Sequence, residues 1–226
     1  MNRTRIEWCD YTWNPVTGCL TGCRYCYSRR MTARFHGDFT PTFHADRLDQ
    51  PLHQGRGARI FVCSMADLFG PWVPRLWIER ILQTVRIVPE STFIFLTKWP
   101  DRFQAAEVVF PPNCQVGVTL TCGPGERTAL RLHQLRDATG GGIRFASFEP
   151  LLGPLLPQTA GLFWLHLQWL IIGALTGPGA KEQAPQPEWI QGILDATDQY
   201  GIPVFMKDNL RPYWAGEWRR EWPRTD

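Results

Sequence analysis

The chain has 226 residues, 44% of them hydrophobic, which is enough to bury a full core and is ordinary for one barrel or α/β domain. Its 24 basic and 21 acidic residues leave a net charge of +3, too close to balance to indicate nucleic-acid or membrane binding by charge alone. No stretch of the sequence approaches the roughly 18 uninterrupted apolar residues of a membrane span. We therefore expect a cytosolic protein with one domain over residues 1–226.

From Arg59 onward, short apolar runs alternate with longer helical patterns, which is typical of parallel βα units. The predicted strands are 59–63, 92–96, 115–118, 143–146, 169–173 and 203–206, with one more near 12–16. The predicted helices are 24–35, 75–88, 101–107, 125–138 and 188–200. Three stretches, 37–57, 150–167 and 177–187, are expected to be long loops. The count of six or seven βα units predicts an α/β fold.

Polar or charged side chains follow most of the predicted strands. They are Ser64, Asp67, Thr97, Lys98, Thr119, Thr121, Ser147, Glu149, Thr176, Lys207 and Asp208. In parallel α/β barrels the active site lies at the carboxyl ends of the strands. We therefore expect these residues to share one mouth of the fold.

Three of the seven cysteines, Cys19, Cys23 and Cys26, lie within eight residues, at spacings of four and three. Three thiolates can hold three irons of a cubane cluster and leave the fourth iron without a protein ligand. Two alternatives stay open, a zinc site completed by His36 or His44 and a disulfide or inert core cluster. The other four cysteines are scattered along the chain, and we expect them to be buried as small hydrophobic residues: Cys9, Cys63, Cys114 and Cys122.

The spacing Cys-x-x-x-Cys-x-x-Cys, with an aromatic residue before the third cysteine, resembles the motif of the radical S-adenosylmethionine superfamily. The resemblance implies a partial TIM-like barrel of about six parallel βα units, which agrees with the strand count. It also implies a [4Fe-4S] cluster on the three cysteines and Tyr25 against the adenine of S-adenosylmethionine. Cleavage of that cofactor would yield a 5′-deoxyadenosyl radical that abstracts hydrogen from a substrate, with an external flavodoxin or ferredoxin as electron donor.

The same resemblance implies further contacts to S-adenosylmethionine. Ser64 and Asp67 would provide them at the second strand, and Thr119 and Thr121 at the fourth. A loop-capping hydroxyl is the alternative for each serine or threonine.

Longer segments resemble a short family of phage and bacterial three-cysteine-motif proteins. They are residues 6–8, 12–19, 41–44, 47–52, 64–69, 95–98, 148–153 and 217–223. Two strand ends depart from the family pattern: 173–177 lacks an expected carboxylate, and 118–122 replaces a Val-Glu-Asn-like sequence. The resemblance implies a nucleotide or DNA base as substrate, an isomerase or lyase step in base hypermodification, and a host-cytoplasm location if the gene is carried by a phage.

Three charged residues, Lys98, Glu149 and Lys207, are candidate catalytic groups. They follow apolar strands directly, where a buried charge needs a partner or a ligand. The structural alternative is that Lys98 and Glu149 pair with each other. Asn14 and His44 are expected to contact the substrate, with a surface or capping role as the alternative for His44.

The C-terminal segment, residues 208–226, is rich in Trp and Arg. Trp214, Trp218 and Trp222 are spaced by four, so a helix would give them one aromatic face. We expect this segment to close the barrel by packing, and the alternative is a surface that stacks single-stranded nucleic acid. At the level of the whole protein, the alternative to an enzyme is a non-catalytic, metal-stabilised nucleic-acid-binding protein.

Overall fold

The computed structural model describes residues 1–54, 57–155 and 164–223. The fold is α/β with a mostly parallel central sheet that does not close on itself, so the predicted fold class is confirmed. The chain divides into two compact units, which are described one at a time. Unit one is Met1–Val116 with Ala138–Gly142, and unit two is Gly117–Asp137 with Ile143–Asp226. The single domain over residues 1–226 stays a prediction.

The observed elements overlap every predicted strand and helix. The strands are β1 (Asn2–Arg3), β2 (Tyr11–Trp13), β3 (Val16–Thr17), β4 (Thr42–Phe43), β5 (Arg59–Val62), β6 (Thr92–Thr97), β7 (Val109–Phe110), β8 (Cys114–Leu120), β9 (Thr139–Gly140), β10 (Ile143–Phe148), β11 (Trp169–Ile172) and β12 (Val204–Met206). The α-helices are α1 (Tyr27–Arg34), α2 (Arg75–Ile87), α3 (Arg102–Ala105), α4 (Thr128–Arg136) and α5 (Pro187–Tyr200).

In unit one, four strands of the central sheet lie in the order β1-β2-β5-β6. β1 is antiparallel to β2, whereas β2 with β5 and β5 with β6 are parallel pairs. The register aligns Trp13 with Val62 and Phe61 with Ile94. The parallel strands therefore end at the same edge, which is where the predicted site residues of this unit follow them.

The core of unit one is aliphatic and aromatic. The helical period puts the buried residues of α2 on one side: Ile78, Ile81, Leu82, Thr84 and Val85. Phe69 meets the ring of Phe103 edge-on at 4.9 Å and that of Phe110 at 5.7 Å. Full burial of each large apolar side chain contributes about 1.5–3 kcal/mol to the free energy of unfolding. The packed core therefore stabilises the strands whose ends carry the predicted site residues.

Unit two contains strands in the order β8-β10-β11-β12. The parallel register aligns Ser147 with Ile171, and Ile171 with Phe205. Gly117 in β8 leaves space for a neighbouring ring, since a Cβ atom there would lie 2.4 Å from the ring of Phe145. The space beside Gly117 is therefore filled by the ring of Phe145.

The three predicted loops contain more local structure than expected. Residues 37–57 include β4 and two short 3-10 helices, Ala45–Arg47 and Gln50–His53. Residues 177–186 form turns and bends that lead into α5. In the third loop, residues 164–166 are a 3-10 helix and residues 156–163 lie outside the described part of the chain.

The tail from residue 214 to residue 223 is not helical, so the aromatic face expected on a helix does not form. Its backbone pairs with β12 instead: the N–H of Glu221 donates to the oxygen of Val204 at 2.9 Å. This pairing brings Trp222 onto Trp169, with ring centres 5.5 Å apart and planes at 26°. Trp222 is therefore used in packing within unit two.

Among the described residues, no helix has both the length and the apolar character needed to cross a membrane.

Candidate functional site

The cysteine loop, residues 18–27, is anchored at its start by Gly18. This glycine has a φ of +83°, and a Cβ atom on it would lie 2.2 Å from the backbone oxygen of Thr40. The N–H of Gly18 donates to the oxygen of Met65 at 3.0 Å, and the N–H of Cys19 donates to that of Phe39 at 3.1 Å. Because only glycine fits this approach, the loop leaves β3 in one fixed direction.

The three thiols of the cysteine loop are free and half-buried. The sulfur of Cys26 accepts the N–H of Arg29 at 3.4 Å, which makes Cys26 the N-cap of α1. Burial raises the pKa of Cys23, the charge of Lys98 opposes this, and the thiols of Cys19 and Cys26 raise it further. The backbone N–H of Cys26 donates to the oxygen of Cys23 at 3.2 Å, so these two cysteines share one turn of the loop.

Within residues 1–54, 57–155 and 164–223, no group of three or more His, Cys, Asp or Glu side chains is arranged to hold a metal ion. The thiols of the cysteine loop therefore do not form such a group among these residues. The zinc site that would add His36 or His44 is likewise not assembled in this part of the chain.

Two arginines of α1 hold the backbone of the cysteine loop. Arg29 donates to the oxygen of Cys19 at 2.9 Å, and Arg30 donates to that of Tyr25 at 3.3 Å. Sequence reasoning did not single out either arginine, although both follow the third cysteine within four positions. Their contacts give the loop a positively charged side.

Asn14 was predicted to contact the substrate and Ser64 to contact S-adenosylmethionine. The two side chains are hydrogen-bonded to each other. The amide oxygen of Asn14 accepts the hydroxyl of Ser64 at 3.2 Å and the N–H of Met65 at 3.0 Å. The backbone oxygen of Ser64 accepts the hydroxyls of Tyr27 at 3.3 Å and Ser28 at 3.2 Å. The end of β5 is thereby tied to the start of α1.

Asp67, predicted to bind S-adenosylmethionine, has a buried carboxylate that bonds within the protein. It accepts the hydroxyl of Thr97 at 2.6 Å and the N–H groups of Lys98 at 2.9 Å and Phe69 at 3.3 Å. Burial raises the pKa of Asp67, and the hydrogen bonds from Thr97 and Lys98 oppose that shift. These hydrogen bonds fix the turn after β6. Lys98 lies in this turn, and its ammonium is 5.6 Å from the ring centre of Tyr25.

His44, the other predicted substrate contact, lies beside the β3–β4 hairpin. Its Nε2 is 2.8 Å from the hydroxyl of Thr17, and its backbone N–H donates to Pro15 at 2.8 Å. Burial lowers the pKa of His44, Arg47 lowers it further, and Asp46 opposes the shift. The ring therefore supports the hairpin from which the cysteine loop departs.

In unit two, the ammonium of Lys207 donates to Oε1 of Glu149. The partner of Glu149 is thus Lys207 and not the Lys98 of the structural alternative. Since side chains alternate along a strand, the register puts Glu149, Gly173 and Lys207 on the same face as Ser147. A Cβ atom on Gly173 would lie 3.1 Å from carbons of both charged residues, so this glycine leaves room for the pair.

In unit two, Thr119 lies near the end of strand β8, Thr121 directly follows the strand, and both are buried. The hydroxyl of Thr121 donates to Glu126 at 3.0 Å, and the same carboxylate accepts the N–H of Cys122 at 2.6 Å. The backbone oxygen of Thr119 accepts from Arg131, which also pairs with Glu126. Glu126 therefore organises the segment that follows β8. Its partners lie only four or five positions away, but nothing in the sequence marks which of these neighbours it contacts, so sequence reasoning missed it.

Comparison with known families places the chain by sequence. The family model described as "Protein of unknown function (DUF5131)" matches residues 3–222, nearly the full length of the chain. The chain belongs to the DUF5131 family. A search of curated proteins finds no match for this DUF5131 chain. The closer resemblance to phage and bacterial three-cysteine proteins stays a prediction, as do the roles of the individual site residues.

Solved structures resemble the DUF5131 chain in fold. Spore photoproduct lyase complexed with dinucleoside spore photoproduct has a TM-score of 0.59 at 12% identity, covering 91% of this chain and 79% of that one. A variant of spore photoproduct lyase gives 0.62 at 11%, covering 91% and 78%. Another variant, with bound AdoMet and dinucleoside spore photoproduct, gives 0.59 at 10%, covering 91% and 78%. At these identities the likeness shows the fold.

Proposed function

We propose that this protein binds a [4Fe-4S] cluster through Cys19, Cys23 and Cys26 and uses it to cleave S-adenosylmethionine. The observation that carries the proposal is the cysteine loop, in which three free, half-buried cysteines lie within eight residues of sequence, between β3 and the start of α1. Three thiolates are the donor set that leaves one iron of a cubane cluster open to a small-molecule ligand.

The surroundings of the thiols suit such a cluster. N–H groups point at two of the sulfurs, from Thr21 to Cys19 at 3.5 Å and from Arg29 to Cys26 at 3.4 Å. Hydrogen bonds to sulfur and nearby positive charge favour an anionic thiolate centre. Binding requires the thiol side chains to rotate toward a common centre, because they do not form a metal-binding group among the described residues.

When bound, the reduced cluster supplies the electron that splits S-adenosylmethionine into methionine and a 5′-deoxyadenosyl radical, which removes hydrogen from the substrate. The chain's own residues bind and orient. Within unit one, Tyr25 would contact the adenine and Ser64 another part of S-adenosylmethionine. For unit two, the cofactor contacts of Thr119 and Thr121 stay a prediction. In this assignment Asp67 is a positioning residue, because its oxygens hold the turn that carries Lys98.

For the substrate we propose a nucleotide or a DNA base, which undergoes a lyase or isomerase step. The support is the fold neighbour that holds both AdoMet and a dinucleoside. In unit two, Glu149 and Lys207 present an acceptor and a donor on one face, as hydrogen bonding to a base edge requires. Lys98, Asn14 and His44 are the matching candidates in unit one.

The test is anaerobic reconstitution with iron and sulfide. We expect a brown protein that forms 5′-deoxyadenosine from S-adenosylmethionine when dithionite is added. Cys23→Ala is expected to lose both iron and cleavage, because an iron loses its thiolate ligand. Cys9→Ala is the matched control, since Cys9 is a buried cysteine that lies outside the cysteine loop.

Two outcomes would count against the enzyme. A fully loaded cluster without cleavage would remove the proposed reaction. A colourless zinc protein that binds DNA with steep salt dependence would favour the non-catalytic alternative. For the substrate class, a thymidine dinucleotide and a panel of amino acids should be compared for their stimulation of 5′-deoxyadenosine formation.

A further inference from the structure

A tryptophan connects the end of β6 to the cysteine loop within unit one. Trp99 lies two residues after the end of β6, and its ring is half-buried. Its indole N–H donates to the hydroxyl oxygen of Thr21 at 3.2 Å. Thr21 lies in the cysteine loop, two residues after Cys19. The contact spans 78 positions of sequence, so no local pattern predicts it.

Thr21 in turn contacts the sulfur of Cys19 in two ways. The thiol of Cys19 donates to the hydroxyl oxygen of Thr21 at 3.2 Å, and the backbone N–H of Thr21 donates to the sulfur at 3.5 Å. A hydroxyl group has two lone pairs and one proton. The oxygen of Thr21 therefore accepts from Trp99 and from Cys19 together.

The indole of Trp99 sets the direction of the hydrogen bond between Thr21 and Cys19. An indole N–H can only donate, so Trp99 always occupies a lone pair of the Thr21 oxygen. A cysteine binds a metal as a thiolate, which has no proton to donate. The contact between Thr21 and a metal-bound Cys19 then persists only if the hydroxyl donates to the sulfur. Donation from Trp99 to the same hydroxyl strengthens that bond, because linked hydrogen bonds polarise one another.

Contacts outside the cysteine loop hold Trp99 in place. Its backbone N–H donates to the hydroxyl oxygen of Thr97 at 2.9 Å, and that hydroxyl donates to Asp67 at 2.6 Å. Its ring meets the ring of Trp72 edge-on, with centres 5.9 Å apart and planes at 85°. Gly70 leaves space for Trp72, since a Cβ atom there would lie 2.3 Å from that ring. The direction of the Trp99 N–H is therefore fixed by the turn after β6.

We infer that Trp99 is a positioning residue for Cys19: through Thr21, it directs a hydroxyl hydrogen bond at the sulfur of this proposed ligand. The inference rests on the proposed function. Hydrogen bonds to a ligating sulfur strengthen metal binding and raise the reduction potential of an iron–sulfur centre, because they favour the more negative state. The structural alternative is that Trp99 only packs on Trp72 and finds in Thr21 the partner that its indole N–H needs.

The test compares substitutions that remove one hydrogen-bonding group each. Trp99→Phe removes the indole N–H and keeps an aromatic ring, and Thr21→Val removes the hydroxyl at nearly the same volume. Trp72→Phe is the matched control, because the buried Nε1 of Trp72 has no hydrogen-bond partner among the described residues. Thr21→Ser is the conservative variant, since it keeps a hydroxyl at the same position.

The first measurement is calorimetric binding of Cd²⁺, a metal that prefers thiolates, to the metal-free protein. Cys19→Ala defines the binding that does not use Cys19. Thr21→Val should bind about tenfold more weakly, as is usual when a metal ligand loses a hydrogen-bond partner. Trp99→Phe should lose part of that affinity. The double variant Trp99→Phe/Thr21→Val should match Thr21→Val, because Trp99 acts through Thr21. Trp72→Phe and Thr21→Ser should bind as wild type.

The second measurement is the midpoint potential of the protein reconstituted with iron and sulfide, followed by electron paramagnetic resonance. The potential should become more negative in Trp99→Phe and in Thr21→Val. The shift should reach up to about 59 mV, which is a tenfold change in a one-electron reduction equilibrium. Trp72→Phe and Thr21→Ser should keep the wild-type potential.

Three results would overturn the inference. One is wild-type Cd²⁺ affinity and potential in Trp99→Phe. Another is an equal loss in Trp72→Phe, since that would assign the effect to ring packing. The third is unchanged Cd²⁺ binding in Cys19→Ala, or losses that add in the double variant, since either would separate Trp99 from Cys19.

A failure of the proposed function gives a different result. If the wild type takes up no iron–sulfur cluster while the Cd²⁺ series behaves as expected, the proposed function is wrong. The role of Trp99 then stands for another thiolate-bound metal.

Discussion

The ammonium of Lys98 lies 5.6 Å from the ring centre of Tyr25, the residue between the second and third cysteines of the loop. A hydrogen bond fixes the backbone of Lys98, since Asp67 accepts its N–H at 2.9 Å. The charge of Lys98 also opposes the effect of burial on the pKa of Cys23. The end of β6 in unit one thus places the positively charged side chain of Lys98 beside the cysteine loop.

Replacing Lys98 should impair cleavage without removing the metal. Lys98→Met keeps the apolar stem and removes the charge, so iron content should stay at the wild-type level. The rate of 5′-deoxyadenosine formation should fall about tenfold, which corresponds to about 1.4 kcal/mol. Lys98→Arg should recover part of the rate, and Lys181→Met, at an exposed site, serves as the control. A wild-type rate in Lys98→Met would remove this lysine from the candidate catalytic groups.

The Glu149–Lys207 pair makes a prediction about stability. Its side chains are only 25% and 17% exposed, so removing one partner leaves a poorly solvated charge. Lys207→Met should lower the free energy of unfolding by about 1–3 kcal/mol in urea titrations. The double variant Glu149→Gln/Lys207→Met should be more stable than Lys207→Met alone. Additive losses in this cycle would show that the two residues do not act as a pair.

Gly173 and Gly192 form a contrasting pair of glycine-to-alanine substitutions. At Gly173 a Cβ atom would press on Glu149 and Lys207 at 3.1 Å, so Gly173→Ala should destabilise by about 1–3 kcal/mol. Gly192 lies within α5, and a Cβ atom there has no neighbour within 4 Å. Gly192→Ala should therefore stabilise by about 0.5–1 kcal/mol. Thermal or urea unfolding of the two variants measures both signs, and equal effects would contradict the contact at Gly173.

The Asp10–Arg59 pair should make stability depend on pH in the acid range. Arg59 hydrogen bonds lower the pKa of Asp10 from its ordinary 3.8, against the effect of burial. The stabilisation is therefore present above pH 3.8 and is lost as the pH falls through the lowered pKa. The pair is more than a third exposed, so Asp10→Asn should cost less than about 1 kcal/mol at pH 7. The difference between wild type and variant should shrink toward pH 3, and a growing difference would contradict this assignment.

The strands and helices were predictable where one local pattern decided them. The run 169–173 and the helix 75–88 appear as β11 and α2. β11 is a short apolar run buried at every position, as in a parallel strand covered on both faces, and the burial of α2 follows the helical period. The hairpin of β3 and β4 was missed, since each strand has two residues and carries no alternation. The tail was misread because its spacing of four suggested a helix, while its backbone pairs with β12.

The candidate site divides in the same way. The cysteine spacing and the strand-end charges are local features, so the sequence located them. The partners of those charges are tertiary: Glu149 meets Lys207, 58 positions later, and Asp67 meets Thr97, 30 positions later. Nothing in a single sequence indicates which pairs form. The hydrogen bond from Thr121 to Glu126, five positions later, was also not predicted, and the contact of Thr121 with the cofactor stays a prediction.

The sulfur of Cys26 has two roles: it caps the start of helix α1, and it is a ligand in the proposed metal site. This sulfur accepts the N–H of Arg29 at 3.4 Å, so the first turn of α1 depends on where that sulfur points. If a metal fixes the sulfur, the first turn of α1 should fray less than in the metal-free protein. Hydrogen–deuterium exchange at the Arg29 amide should then slow on loading and quicken on chelation, which reports occupancy even for a metal that has neither colour nor redox activity.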